Sequence, residues 1–374
     1  MRTTSIRFLA AAVALSWSAT AAAQVGGTLP GSVIVPGADD RTTRVGTRGA
    51  NFLHIGIGAR QQGMAGAAFA SSEGPSALFW NPANIVSREG ISAFVSYVQL
   101  FGNSGITDIA GAVTVPFGQG AFGFGVVQYS SGEIERTTET APTGNDPLTP
   151  GNFQWTGTAF SAHYARNVTD RLTAAVGARY AREGIDFAHN SYFGADVSTR
   201  FRTGLYGLSI GASLLNIGNK AQFEGPAIGR AITQPRYNGQ PTGRDLPVNF
   251  RTRDAQMPTS FNFGILSSVY GDPEALFGAN PTHVLNAEFD ISDAIDSDVQ
   301  PSLGVEYGFR KSYFARMGKR FLNQQHAGWN FQDGMSFGAG LRLPAFGRHV
   351  SFDYAYVIMG ELQHNQVLSF DFGF

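Results

Sequence analysis

Residues 333–374 alternate strictly between apolar and polar or small positions in three successive runs. In the last run Leu368, Phe370, Phe372 and Phe374 share one face, against Val367, Ser369, Asp371 and Gly373. Before it, Val350, Phe352, Tyr354, Tyr356 and Ile358 alternate with Ser351, Asp353, Ala355, Val357 and Met359. Earlier still, Phe337, Ala339, Leu341 and Leu343 oppose Ser336, Gly338, Gly340 and Arg342. A period of two over this length defines strands with one apolar face. A soluble sandwich alternates as well. Here, however, the apolar face is aromatic-rich and the other is Gly, Ser and charge, as in a barrel with lipid outside and water or packed polar groups inside.

The same pattern recurs upstream and predicts an all-β fold, a transmembrane antiparallel β-barrel of about 14 strands. The expected strands span 90–101, 107–117, 120–131, 154–167, 171–184, 190–202, 204–216, 257–270, 282–292, 300–310, 311–322, 334–343, 348–359 and 365–374. Leu303, Val305, Tyr307, Phe309, Phe352, Tyr354, Phe370 and Phe372 would face outer-membrane lipid. Some connections are tight, as at Gly118-Gln119-Gly120 and Asn167–Asp170. Others are long and polar, at 132–153, 217–256, 271–281 and 323–333, and are expected on the outside. Segment 217–256 is long enough to fold over the mouth.

Composition agrees with this. Of 374 residues, 47 are Gly and 30 Phe, while charged residues make up only 15%, below the roughly 25% of soluble domains. The net charge of −1 gives no electrostatic case for nucleic acid. Arg2 and Arg7, an apolar run from Phe8 to Trp17 and Ala21-Ala22-Ala23 read as a cleaved secretory signal over 1–23. Its removal would leave 25 basic against 28 acidic residues. No other apolar stretch approaches the ~20 residues of a spanning helix. The chain has no cysteine, so neither a disulfide nor a lipoprotein anchor is available. Residues 24–49, rich in Gly, Thr, Pro and Arg, read as an extended lead-in. Residues 50–89 form an apolar block without clean alternation, broken by Pro75 and Pro82, and 90–374 form the barrel.

That apolar block carries a resemblance. Phe52-Leu53, Ile55-Gly56 and Gly58-Ala59-Arg60 are followed by Gly63-Met64, Gly66-Ala67 and Ser76-Ala77-Leu78-Phe79-Trp80-Asn81-Pro82-Ala83-Asn84. Over Val45–Arg88 this resembles the opening of the PorV/PorQ family, a branch of the FadL-like outer-membrane transporters. Asn84 departs from it where Gly commonly follows Asn-Pro-Ala. The resemblance implies a 14-stranded barrel with the block as an internal plug or hatch, in the outer membrane. It also implies one of two activities, transport of hydrophobic small molecules such as fatty acids or a part in type IX secretion of cargo proteins. Phe374 is similar to the terminal aromatic by which the barrel-assembly machinery recognises its clients.

Strand parity sends a mixed set of charges inward: Arg179, Glu288, Asp290, Glu306, Arg310, Arg316, Arg320, Arg342, Asp353 and Asp371. Acids and bases enclosed together can pair, which lowers the cost of enclosing each. Mixed signs argue against an ion-selective pore. Such a set can line a polar path or fill the lumen and hold the plug. In the plug, Asn81 and Pro82 read either as a gate or as a capped turn that anchors the plug to the wall. Phe79 and Trp80 either line a hydrophobic pocket or pack the plug, and Ala83 completes the plug motif.

Enzymatic readings find little support. The seven histidines are scattered without metal-ligand spacing, and His163 reads as an interfacial residue near a strand end. Gly207-Leu208-Ser209-Ile210-Gly211 matches a nucleophile-elbow pattern. It falls within an expected strand, where the motif needs a sharp strand-to-helix turn. No metal, cofactor or catalytic residue is therefore expected.

Overall fold

The computed structural model describes residues 46–87, 90–144, 147, 151–233, 245–321, 330–345 and 348–373. The signal segment, most of the lead-in and Phe374 lie outside them. The fold is a closed antiparallel barrel of fourteen strands. In chain order these are β1 Ser92–Gln99, β2 Thr107–Phe117, β3 Gly120–Ser130, β4 Trp155–Asn167, β5 Leu172–Ile185, β6 Ala188–Arg202 and β7 Leu208–Gly218. The second half comprises β8 Ser260–Tyr270, β9 His283–Ala294, β10 Gln300–Phe309, β11 Tyr313–Arg320, β12 Met335–Ala345, β13 Arg348–Ile358 and β14 His364–Gly373.

The barrel closes between its first and last strands, with Ser92 opposite Gly373 and Gln99 opposite Gln366. Closure leaves no open sheet edge, which a bilayer requires of any spanning sheet. Register at the seam shows how the alternation is used. Val95 pairs with Phe370 and Tyr97 with Leu368, and all four are exposed. Ser96 pairs with Ser369, both buried. Around the wall Phe124, Phe160, Val176, Phe193, Met317 and Phe337 continue the exposed apolar belt, far larger than a soluble monomer exposes. Among the described residues no helix is long and apolar enough to cross a membrane.

Because every neighbour is antiparallel, successive connections open at opposite ends. Connections 100–106, 131–154, 186–187, 219–259, 295–299, 321–334 and 359–363 share one end, called here the loop end. Connections 118–119, 168–171, 203–207, 271–282 and 310–312 share the other, the turn end, where β12 also ends and β13 begins. The expectation that every long connection lies on one side therefore fails for 271–281, which emerges at the turn end. Segment 219–259 carries two short ladders, Lys220–Ala221 with Ala255–Gln256 and Gly229–Thr233 with Asp245–Asn249.

Two strand starts differ from expectation because of left-handed turns. Tyr206 and Gly207 both have positive φ, so β7 begins at Leu208 rather than 204. Arg310 and Lys311, at φ 53° and 55°, form the tight turn between β10 and β11. Positive φ at both central residues is the twist-matched hairpin geometry.

The apolar block fills the lumen. It consists of short 3-10 turns at Asn51–His54, Gly74–Phe79 and Pro82–Ser87, with an α-helical turn at Ala59–Gly63. Its backbone comes close to the wall where wall side chains are missing. A Cβ added at Gly318 of β11 would lie 2.3 Å from the Met64 carbonyl carbon. Inward glycines therefore seat the plug backbone rather than keep the lumen open.

Candidate functional site

The plug is fastened to the wall by polar contacts that begin with its apolar turns. Trp80 stacks edge-on with Phe69 at 5.5 Å, and its indole N–H donates to the Ile57 carbonyl at 2.8 Å. Ser213 of β7 donates to the Trp80 carbonyl at 3.2 Å. Asn81 is fully buried and joins plug to wall. Its amide donates to the Phe69 carbonyl at 2.8 Å and to the Thr199 carbonyl of β6 at 3.0 Å. Its Oδ1 accepts from the Ala83 N–H at 3.1 Å, closing an Asx-type turn. Pro82 opens the following 3-10 turn, where a missing N–H is harmless. The Ala83 N–H is shared with Ser198 Oγ of β6 at 3.0 Å. Phe79 lies beside Phe94 of β1, ring centroids 6.4 Å apart.

Two wall carboxylates on β9 hold the plug loop 68–71. Asp290 Oδ2 accepts from the Ala68 and Phe69 N–H groups at 2.6 and 2.9 Å. Glu288 Oε1 accepts from Ala70 and Ser71 at 2.6 and 3.2 Å. Successive backbone N–H groups aimed at one side make a local anion seat, which here is occupied by the protein's own side chains.

Next to them runs a chain of ion pairs. Arg60 of the plug meets Glu306 of β10 in a fork, with contacts of 2.8 and 3.0 Å. It also donates to the Ser71 carbonyl at 2.8 Å. Glu306 accepts from Arg316 at 2.7 Å, and Arg316 reaches Asp353 at 2.6 Å. Arg342 donates to Ser351 at 3.3 Å and lies over the Phe314 ring. With Asp353, Asp371, Arg60 and Glu73 it lines a charged vestibule toward the turn end. Arg179 pairs with Asp196 of β6 at 2.9 Å on the opposite wall.

The charged set thus divides. Glu288, Asp290, Glu306, Arg316, Arg320 and Arg342 face the lumen with Asp353, Asp371 and Arg179. Arg310 does not. It sits exposed in the β10–β11 turn with its guanidinium over the Phe309 ring, because the left-handed turn ends the strand before its parity applies. His163 also departs from expectation. It is buried inside β4, with Nε2 2.8 Å from Asp196. Ser209 is a buried strand residue, and Gly207 lies in the turn before it. Sequence reasoning missed Arg60, Asp196 and Ser198. For Arg60 the available signal was a lone cation inside an otherwise apolar segment.

On the loop side of the plug lie two cavities. One, of about 310 Å³, is bounded by Phe52, Ile55, Val98, Leu100, Phe101, Tyr129, Trp155 and Val367. The other, of about 300 Å³, is bounded by Trp80, Asn216, Ser260, Asn262, Ser292, Gln300 and Ser302. Both touch His54, Ile55, Gly56 and Arg320. The plug therefore separates a chambered loop side from the charged vestibule.

The toluene transporter TodX of Pseudomonas putida superposes with a TM-score of 0.53 at 13% identity, covering 85% of this chain and 98% of that one. The toluene transporter TbuX of Ralstonia pickettii gives 0.50 at 14% identity, covering 85% and 98%. At these identities the likeness shows the fold alone, a closed outer-membrane-type barrel. No family profile and no curated protein matches the sequence significantly.

Proposed function

We propose that the protein is an outer-membrane channel that admits hydrophobic small molecules from the loop side and is closed by its plug. The observation that carries this reading is the apolar chamber beneath the loops, lined by Phe52, Val98, Leu100, Tyr129 and Trp155. It is of the size and character of small-ligand sites. The two similar solved structures are toluene transporters, which adds support. Export through a signal over residues 1–23 and assembly through Phe374 belong to the same proposal. Asn81 then serves as the joint between plug and wall.

The test is uptake of radiolabelled toluene by cells expressing the chain, compared with an empty vector. Uptake above background, reduced by Ile55→Trp, is the expected result. That substitution fills the chamber from the plug and leaves every strand untouched. Background uptake from a correctly inserted barrel refutes the reading.

A second reading, a PorV/PorQ-type role in type IX-like secretion, is favoured by the loop-end hairpin 229–249. Its flank exposes Ile232 and Phe250, with Arg230 over the Phe250 ring. Deleting this hairpin should abolish co-purification with a cargo's C-terminal signal domain and leave toluene uptake unchanged. Unaltered co-purification counts against it.

A further inference from the structure

The two loop-side cavities differ in chemistry, and one cation belongs to both. The first is walled mostly by aromatic and aliphatic side chains, with Asn51, Gln62 and Asn365 among them. The second has hydroxyls and amides from β7 to β10 on its wall side, among them Asn216, Ser260, Asn262, Ser292 and Gln300, and apolar plug residues such as Leu53, Phe69 and Trp80 on the other. His54–Gly56 and Arg320 bound both lobes. Arg320 lacks the carboxylate pairing that most of the inward cations around the plug have. Arg60 and Arg316 are paired with Glu306, and Arg179 with Asp196. Arg320 instead gives Nε and Nη2 to one acceptor, the Ala65 carbonyl, at 3.3 Å each. Among the described residues it has no carboxylate partner. Enclosing a guanidinium without a counter-charge is unfavourable. A ligand anion at this position would remove that penalty, and charge-assisted hydrogen bonds to guanidinium are among the strong ones.

From this we infer that the chamber binds an anionic amphiphile whose charge lies between an apolar chain and a hydroxylated head. A single-chain glycerophospholipid has this order of groups. Its acyl chain fills the lobe of Phe52, Val98 and Trp155, its phosphate sits on Arg320, and its polyol hydrogen-bonds in the lobe of Ser260, Asn262 and Gln300. A simple carboxylate amphiphile satisfies Arg320 but leaves the second lobe's donors and acceptors to water. A neutral hydrocarbon uses the first lobe alone. The inference rests on the hydrophobic-channel reading and specifies its ligand.

The test uses the purified full-length barrel, titrated with lauroyl lysophosphatidylglycerol, with laurate and with toluene while Trp fluorescence is followed. The lysophospholipid should bind most tightly. Arg320→Gln should weaken it about ten- to a hundredfold, the range of a lost charged hydrogen bond, and weaken toluene far less. Gln300→Leu should weaken the lysophospholipid and leave laurate unchanged. Heat-modifiable mobility of each variant verifies that the barrel has formed. Laurate binding as tightly as the lysophospholipid, or an Arg320→Gln variant with undiminished lysophospholipid affinity, overturns the inference. Toluene binding without lysophospholipid binding overturns it and spares the channel reading. Failure of all three ligands overturns both.

Discussion

Arg60 and Glu306 show how a single pair can set the state of the plug. Glu306 is buried between two guanidiniums, and only Arg60 belongs to the plug. Removing Arg60 leaves Glu306 still neutralised by Arg316, so the loss approaches that of charged hydrogen bonds, about 1.5–3 kcal/mol. Removing Glu306 strands the Arg60 cation and part of Arg316's field, at the ~3–5 kcal/mol of a broken buried pair. Glu306→Ala should therefore loosen the plug more than Arg60→Ala. Single-channel recordings in planar bilayers measure this as the frequency of openings, and equal frequencies would mean that the ion pair does not hold the plug. Parity in the sequence pointed to Glu306 and Arg316, since strand alternation fixes which side a residue faces. Arg60 was hidden because the plug has no periodicity to assign its side chains a direction. Asp196 and His163 were open to the same parity argument, but their pairing reaches across the intervening β5 and has no local signature.

At the scale of the strand, the aromatic face was legible because lipid and lumen impose opposite chemistry on alternate residues. The pairing of Phe352 with Phe370 across β13 and β14, ring centroids 5.0 Å apart, is that pattern realised in register. Phe370→Arg places a cation on this outer face, which costs about 2–4 kcal/mol at the bilayer midplane of a barrel. A reduced yield of heat-modifiable barrel is expected, and an unchanged yield would place Phe370 away from the hydrocarbon. The turns were less legible. Arg310 and Lys311 adopt positive φ without being glycine, so composition gave no warning that β11 starts late, whereas before β7 the signal was Gly204 and Gly207, which flank Tyr206 in the left-handed turn. The position of 271–282 follows from strand order alone. Length and polarity made it look like an outer loop, whereas antiparallel counting assigns it to the turn end.

At the scale of the molecule, plug and wall share one polar network, and the chain must either break it or route ligand around it. The contacts of Asn81, Ala83, Glu288, Asp290 and Arg60 fall on β6, β9 and β10, and those of Gly58, Ala59 and Gly63 fall on β1, β14 and β12, so together they surround the lumen. Tilting the plug about one side would therefore strain the others, so opening requires several of these bonds to fail together. Because the chain has no cysteine, this can be tested with one engineered pair. Ala83→Cys with Ser198→Cys joins plug to β6 where the Ala83 N–H and Ser198 Oγ already meet at 3.0 Å. If passage needs the plug to leave the wall, the oxidised protein should lose toluene uptake and regain it on reduction, while each single variant stays active. Undiminished uptake through the oxidised form, with the cross-link verified by mass, would mean that ligand leaves the chamber without displacing the plug from β6. The loop-side lobes would then be the route itself rather than a waiting room behind a closed door.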